Sequence, residues 1–383
     1  VDVSVLVTIV VVTALIFDFT NGFHDTANAM ATSIATGALR PKTAVALSAV
    51  LNLVGAFLSV EVAKTISGGL VDDAAITPAV VFGGLVGAIV WNLLTWYVGL
   101  PSSSSHALFG GLIGATWVAA GSDAVRFAKL AEKVLVPALA APLIAMFAGM
   151  VATYLAFRIT RRATASRTPR GFRIGQIASA SMLSLAHGTN DAQKTMGIIT
   201  LTMISAGSLP QGSGPPVWVI VSAGAAIALG TYLGGWRIIR TLGKGITDIG
   251  APQGFAAQAS ATAVILTSSH LGIALSTTHV CSGGILGAGL GTPQAKVQWG
   301  TAGRMVLAWI ITLPAAGLAG ALAGVVAESG TFGTVVVAVV GLAFGLGIYL
   351  RSRRDVVGAH NVNDIPVEPI PGETVETTGG AAR

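Results

Sequence analysis

The chain has 383 residues, of which 53% are apolar, 10% charged and 49 glycine, and it holds a single cysteine. A soluble chain carries about 25% charged residues, so this composition excludes an ordinary globular enzyme and implies a polytopic membrane protein. The net charge of +6 does not indicate nucleic acid, because the basic residues lie in short loops where positive-inside placement explains them.

The first hydrophobic stretch runs from Val3 to beyond Ala35. It reads as the first span and not as a separate signal peptide, since it lacks a basic n-region. Asn21, His24, Asp25 and Asn28 interrupt it, and Gly22 allows the helix to break there. Arg40 and Lys42 follow and fit the inside. Residues 74–122 contain no Asp, Glu, Lys or Arg, and within them Pro101 precedes Ser103, Ser104, Ser105 and His106. The stretch 158–173 has six arginines and no acid, and reads as a cytoplasmic loop. After it come His187, Asn190, Asp191, Gln193 and Lys194. Charge-free runs follow at 195–236, 249–295, 305–327 and 329–350, the second of them containing Ser276, Thr277, Thr278 and His279. The tail 351–383 has mixed charge and three prolines and reads as disordered.

The two halves repeat each other. Gly22, Asp25 and Met30 match Gly188, Asp191 and Met196 at one offset of 166. His106 is followed by Gly110, Gly111 and Gly114 at the spacing at which His279 is followed by Gly283, Gly284 and Gly287. The expected organisation is a first transmembrane repeat over 1–157, the basic loop 158–173, a second repeat over 174–330, an extra span 331–350 and the tail. The predicted fold is all-α, with about ten to twelve transmembrane helices. Two halves that each cross an odd number of times are inverted relative to each other.

A carboxylate at bilayer depth is expensive and faces an internal cavity with a partner. One such Asp would read as a helix cap. Two, related by a repeat, read as a site. Three adjacent hydroxyls at a helix start add donors to its unpaired N–H groups, which suits an anion. A lone cluster would be capping, and duplication again tips the balance. The glycines read as packing, and Asn52, Asn92, Gln253 and Gln258 as interhelical hydrogen bonds. Five of the six histidines, His24, His106, His187, His270 and His279, lie in or beside these stretches. None has tight metal-ligand spacing, so no metal is assigned. Cys281 alone supports neither a disulfide nor a cysteine metal site. A Ser-His-Asp hydrolase would need one unique triad, whereas every element here occurs twice. No nucleotide-binding motif is present.

At GFHDTAN (22–28), PSSSSH (101–106), GTNDAQK (188–194) and LSTTH (275–279) the sequence resembles the inorganic phosphate transporter family of secondary carriers. The resemblance spans residues 1 to about 350 in order and spacing. It implies inverted repeats with broken first helices and helical hairpins meeting at the membrane centre. It implies phosphate binding by Asp25, Asn28, Ser104, Ser105, Asn190, Asp191, Thr277 and Thr278. The departures are His24 where sodium-coupled members have Asn, Gln193-Lys194 in place of Ala-Asn, and Leu275 in place of Pro. His24 resembles the bacterial low-affinity branch, which is similar to proton-coupled and metal-phosphate symporters.

The resulting expectation is a secondary active phosphate symporter and not an enzyme, working by alternating access. Protons, or sodium, are the coupling ion, and no cofactor is expected. Asp25, Asp191, His24 and Lys194 are the coupling-ion candidates. A sulfate permease of the same architecture and an anion channel are the alternatives. The expected partners are the lipid bilayer and inorganic phosphate, free or as a metal-phosphate complex; a homo-oligomer is left open. The expected location is the bacterial cytoplasmic membrane, with the N-terminus outside and the C-terminus inside.

Overall fold

The computed structural model describes residues 3–68, 76–160, 168–292 and 296–364. These residues form helices and no sheet; one isolated bridge joins Thr247 to Val297. The first half contains α1 (Val3–Ala35), α2 (Pro41–Gly55), α3 (Glu61–Ser67), α4 (Pro78–Tyr97), α5 (Ser104–Ala120), α6 (Phe127–Leu130) and α7 (Val136–Thr160). The second contains α8 (Thr168–Ser205), α9 (Val217–Leu233), α10 (Trp236–Lys244), α11 (Ala251–His270), α12 (Thr277–Leu290) and α13 (Trp299–Glu328). α14 (Thr331–Ser352) follows.

The hairpins form where the sequence places its hydroxyl clusters. α4 starts on a Thr77 cap with Pro78 in its first turn, and α5 starts on Ser103, whose Oγ accepts from the His106 N–H at 3.1 Å. α12 starts on Ser276, whose Oγ accepts from the His279 N–H at 3.3 Å. The two caps are the same motif, a hydroxyl satisfying the N–H three residues on.

Packing partners recur between the halves. α1 packs on α9, α10 and α4, while α8 packs on α2, α3 and α11. α5 lies against α4 and α13, and α12 against α11 and α7. α1 and α8 cross antiparallel. Thr36, just past the end of α1, donates to Gln176 Oε1 at 2.8 Å near the start of α8.

α1 and α8 are continuous, 33 and 38 residues long, so the expected break in each first helix is not there. Gly22 and Gly188 serve close approach. A Cβ on Gly22 would strike the Ile227 carbonyl of α9, and one on Gly188 the Asn52 carbonyl of α2. Gly230 presses on Phe19 and Gly55 on Leu185 in the same reciprocal way. Each first helix is thereby clamped backbone to backbone by the other half's second helix.

Among the described residues five helices are long and apolar enough to cross a membrane, or six if α9 and α10, bent by 70°, form one span. This is fewer than ten to twelve. α8 carries too many polar residues, and α5 and α12 are short. At about 1.5 Å per residue their 17 and 14 residues fall below a hydrocarbon core of about 30 Å. The lipid-facing surface is apolar, with Phe332, Leu342, Leu139 and Ile159 exposed.

The basic loop is shorter than expected. α7 runs to Thr160 and α8 begins at Thr168, so much of 158–173 is helical, and 161–167 lie outside the described residues. The start of the tail is also ordered. The Arg237 guanidinium binds the Asp355 carbonyl, Arg240 donates to the Asn361 carbonyl at 3.0 Å, and Val362 is buried. The free carbonyls of this segment attract the cations of α10. Residues 365–383 lie outside the described part.

Candidate functional site

α1 sends Asn21, His24, Asp25 and Asn28 into the interior, and α8 sends His187, Asn190, Asp191 and Lys194. Both sets have the spacing i, i+3, i+4, i+7, which lines one face of a helix. At the offset of 166 they match position by position. All eight are buried.

The hydroxyls of α12 close the gap between the two helices. Thr277 Oγ1 lies 3.3 Å from Asp25 Oδ2 and 3.0 Å from Asp191 Oδ2. Thr278 Oγ1 lies 3.4 Å from Asp25 Oδ2, and the Asn28 amide donates to Thr277 at 3.3 Å and to Thr278 at 3.1 Å. From the other hairpin, Ser104 Oγ reaches Asp25 Oδ1 at 3.1 Å. Asp25, Asn28, Ser104, Asp191, Thr277 and Thr278 therefore meet at one point. Ser105 turns instead to the other hairpin and donates to the Leu275 carbonyl at 3.1 Å, tying the two tips together. Asn190 donates to Ser269 at 2.9 Å and lies outside this cluster.

The proton count of the site follows from donors and acceptors. Thr277 has one hydroxyl hydrogen and can donate to only one of its two carboxylates. His24 Nε2 stands 3.2 Å from Thr95 Oγ1, whose own hydrogen goes to the Trp91 carbonyl at 2.9 Å. The Ser102 hydroxyl also lies 3.4 Å from Nε2, and on the other side of the ring one proton lies at the 2.6 Å contact between Nδ1 and Asp25 Oδ1. His187 is similar. Thr231 Oγ1 donates to the Ile227 carbonyl at 2.8 Å and accepts from the Asn52 amide at 2.8 Å. This orients Asn52 Oδ1 toward His187 Nδ1 at 3.2 Å, so Nδ1 carries the hydrogen. Nε2 stands 3.0 Å from Asp191 Oδ2, without an aligned hydrogen bond between them. Lys194 Nζ is bonded to Asp191 Oδ1. Each carboxylate of the repeat thus has a histidine nitrogen beside it, hydrogen-bonded at Asp25 and in close contact at Asp191.

Asp25, His187 and Asp191 also place one ligand atom each within 4.8 Å of one another, a donor set that one cation could bridge in place of protons. Gln193 is structural. Its Oε1 accepts from Val62 N–H at 2.8 Å and Ala63 N–H at 3.2 Å, capping α3. His106 and His279 pack with ring centroids 4.8 Å apart and planes inclined at 57° behind the hairpin tips, and His279 also packs on Trp309. His187 belongs to the centre; sequence reasoning placed it in the repeated motif but not among the phosphate or coupling-ion residues. Asp18 is a further buried acid that sequence reasoning passed over.

The family model for the "Phosphate transporter family" matches residues 21–320, which include every residue of this centre. The chain belongs to the phosphate transporter family. It is similar to a Mycobacterium bovis protein named "Probable low-affinity inorganic phosphate transporter", 59% identical over 364 residues, which are 94% of this chain and 87% of that one. A Bacillus subtilis protein of the same name is 43% identical over 84% of this chain and 97% of its own. A solved structure described as "The sodium-dependent phosphate transporter" shares the fold, with a TM-score of 0.70 at 22% identity, over 85% of this chain and 99% of that one. This phosphate transporter family member is an all-helical membrane protein whose buried polar centre sits at the meeting point of its two halves.

Proposed function

We propose that the protein is a secondary active symporter that imports inorganic phosphate across the bacterial cytoplasmic membrane with protons. The observation that carries this reading is the duplicated acid–hydroxyl centre, with Thr277 held between Asp25 and Asp191. The relatives' names supply phosphate as the cargo. The hydroxyls of Ser104, Thr277 and Thr278 and the Asn28 amide are the donors a tetrahedral oxyanion needs. Hydrogen phosphate can also donate a hydrogen bond to a carboxylate, which sulfate cannot.

A bare carboxylate repels an anion. Protons at the His24–Asp25 and His187–Asp191 contacts remove that repulsion, so each ligand raises the affinity for the other. Lys194 already neutralises Asp191, which leaves a sodium ion less to gain there. The two halves act as inverted repeats that rock around this centre to alternate access. Most basic residues gather at one end, where Arg173 reaches the Ala38 carbonyl at 3.4 Å and Lys244 the Asn363 carbonyl at 3.0 Å; Arg126, Lys129 and Lys133, at the other end of the span that finishes at Thr160, are exceptions. By the positive-inside rule the more basic end is cytoplasmic. It holds the C-terminal segment, and the start of α1 lies at the opposite end.

The test is uptake of radiolabelled phosphate into proteoliposomes with proton and sodium gradients imposed separately, and with sulfate as competitor. Accumulation driven by the proton gradient alone, without competition from sulfate, is the expected result. Accumulation with sodium alone overturns the coupling assignment, and equal competition by sulfate overturns the cargo.

A further inference from the structure

The transport reading leaves one acid at bilayer depth without a task. Asp18 is 0% exposed, and neither of its carboxylate oxygens has a hydrogen-bond partner. It precedes Asp25 by seven residues, about two turns of α1, and so lies on the same helix face. α8 packs antiparallel against that face. Thr195 of α8 and Asn21 of α1 are the polar side chains beside Asp18, and Asp191 and Lys194 are the charged groups that act on it. Asn21 Oδ1 and Nδ2 and Thr195 Oγ1 are themselves buried without a formed hydrogen bond. Five polar atoms from two helices therefore converge, near enough for Thr195 and Asn21 to act on Asp18 but with no well-aligned hydrogen bond formed.

Nature rarely leaves such a group unsatisfied. Each unpaired buried polar atom costs about 1–3 kcal/mol, and a bare carboxylate far more. No neighbouring helix relieves it. α4 and α9, which also pack on α1, carry no Asp, Glu, Lys, Arg or His. Lys42 of α2 lies at the basic end, and Arg237, Arg240 and Lys244 of α10 are tied to the C-terminal segment. His106 and His279 pack on each other, and His270 binds the Leu266 carbonyl. One carboxylate ringed by neutral oxygens is the donor set of a hard cation. Lys194 nearby limits that cation to a single charge.

Charge balance points the same way. Lys194 balances Asp191 by direct contact. An ionised Asp18 has no cation in contact with it, and a phosphate anion adds further negative charge to a low-dielectric interior, which is costly. We propose that Asp18, with Asn21 and Thr195, binds one monovalent cation, a proton or an alkali-metal ion, that enters with the phosphate anion and restores neutrality. The coupling role rests on the phosphate-symport reading; the cation site itself is testable without phosphate.

The experiment compares the purified full chain with Asp18→Asn in phosphate-free buffer, in two arms. If the cation is a proton, infrared spectra of the wild type show the C=O stretch of a protonated carboxyl that Asp18→Asn lacks and that grows when inorganic phosphate is added. If it is an alkali ion, sodium or potassium chloride raises the wild-type melting temperature above that in choline chloride, and Asp18→Asn loses the gain. Thr195→Val weakens either response by about tenfold. Should Asp18→Asn fail to fold, Asp18→Glu decides, by shifting the band or the cation concentration at half-maximal gain. Spectra and melting responses of the variant identical to wild type overturn the proposal. A cation response that phosphate leaves unchanged overturns the coupling role. Wild-type protein that binds the cation but takes up no phosphate overturns the transport reading and leaves the cation site standing.

Discussion

Thr277 has one hydrogen to give and two carboxylates within reach, at 3.3 and 3.0 Å. Removing that hydroxyl takes away the one donor Asp25 and Asp191 have in common, leaving Thr278 alone on Asp25 Oδ2. Thr277→Ala should raise the phosphate concentration for half-maximal uptake by about tenfold, the equivalent of roughly 1.4 kcal/mol, while Thr277→Ser keeps it near wild type. Uptake kinetics in proteoliposomes check both. Lys194 and Asp191 form a fully buried pair, so taking away one partner strands a charge at a cost of about 3–5 kcal/mol. Lys194→Met should therefore lower the yield of folded protein, and adding Asp191→Asn should restore the yield without restoring concentrative uptake. Monodispersity in detergent and uptake against a gradient measure the two effects. Asp25 and Asp191 were legible in the sequence because the repeat doubles them. Asp18 was not, because the matching position in the second half is Ser184, so duplication gives no signal there. Its one trace is an acid two turns before Asp25 in a stretch otherwise free of charge.

At the level of the helix, a glycine beside an Asp in an apolar stretch has two physical uses. It can free the backbone, or it can let another backbone come close. The sequence favours a break at Gly22, and the family resemblance implies one in the second half, whereas the folded chain uses Gly22 and Gly188 for contact. The partner helices α9 and α2 come from the opposite half, so nothing local reveals the clamp. Gly22→Ala or Gly188→Ala should destabilise the protein by about 1–3 kcal/mol, seen as a lower melting temperature in detergent. Gly300→Ala, where a Cβ meets nothing within 4 Å, should be neutral or slightly stabilising. The hairpin starts were easier to read. Ser103 and Ser276 cap their helices through a bond three residues long, and a local bond leaves a local signature.

Across the whole molecule, most basic side chains collect at one end and the buried charges at the centre. Cys281 is the only cysteine and is buried, so an introduced cysteine reports its own position. Arg353→Cys should react with an impermeant thiol reagent only from the cytoplasmic side, and Gln211→Cys only from outside; labelling of right-side-out and inverted vesicles checks this. The sequence by itself determined the membrane, the helical class, the duplication and the pair of acids. Each of these is written in composition or in a short repeated motif, and burial in lipid leaves few alternatives. Only the tertiary structure decided that α1 and α8 stay continuous, that Ser105 ties the hairpin tips, that His187 joins the centre and that Asp18 waits beside Thr195. Those outcomes depend on which backbone lies against which. Between residues some 170 positions apart, packing makes that choice, and no local propensity encodes it.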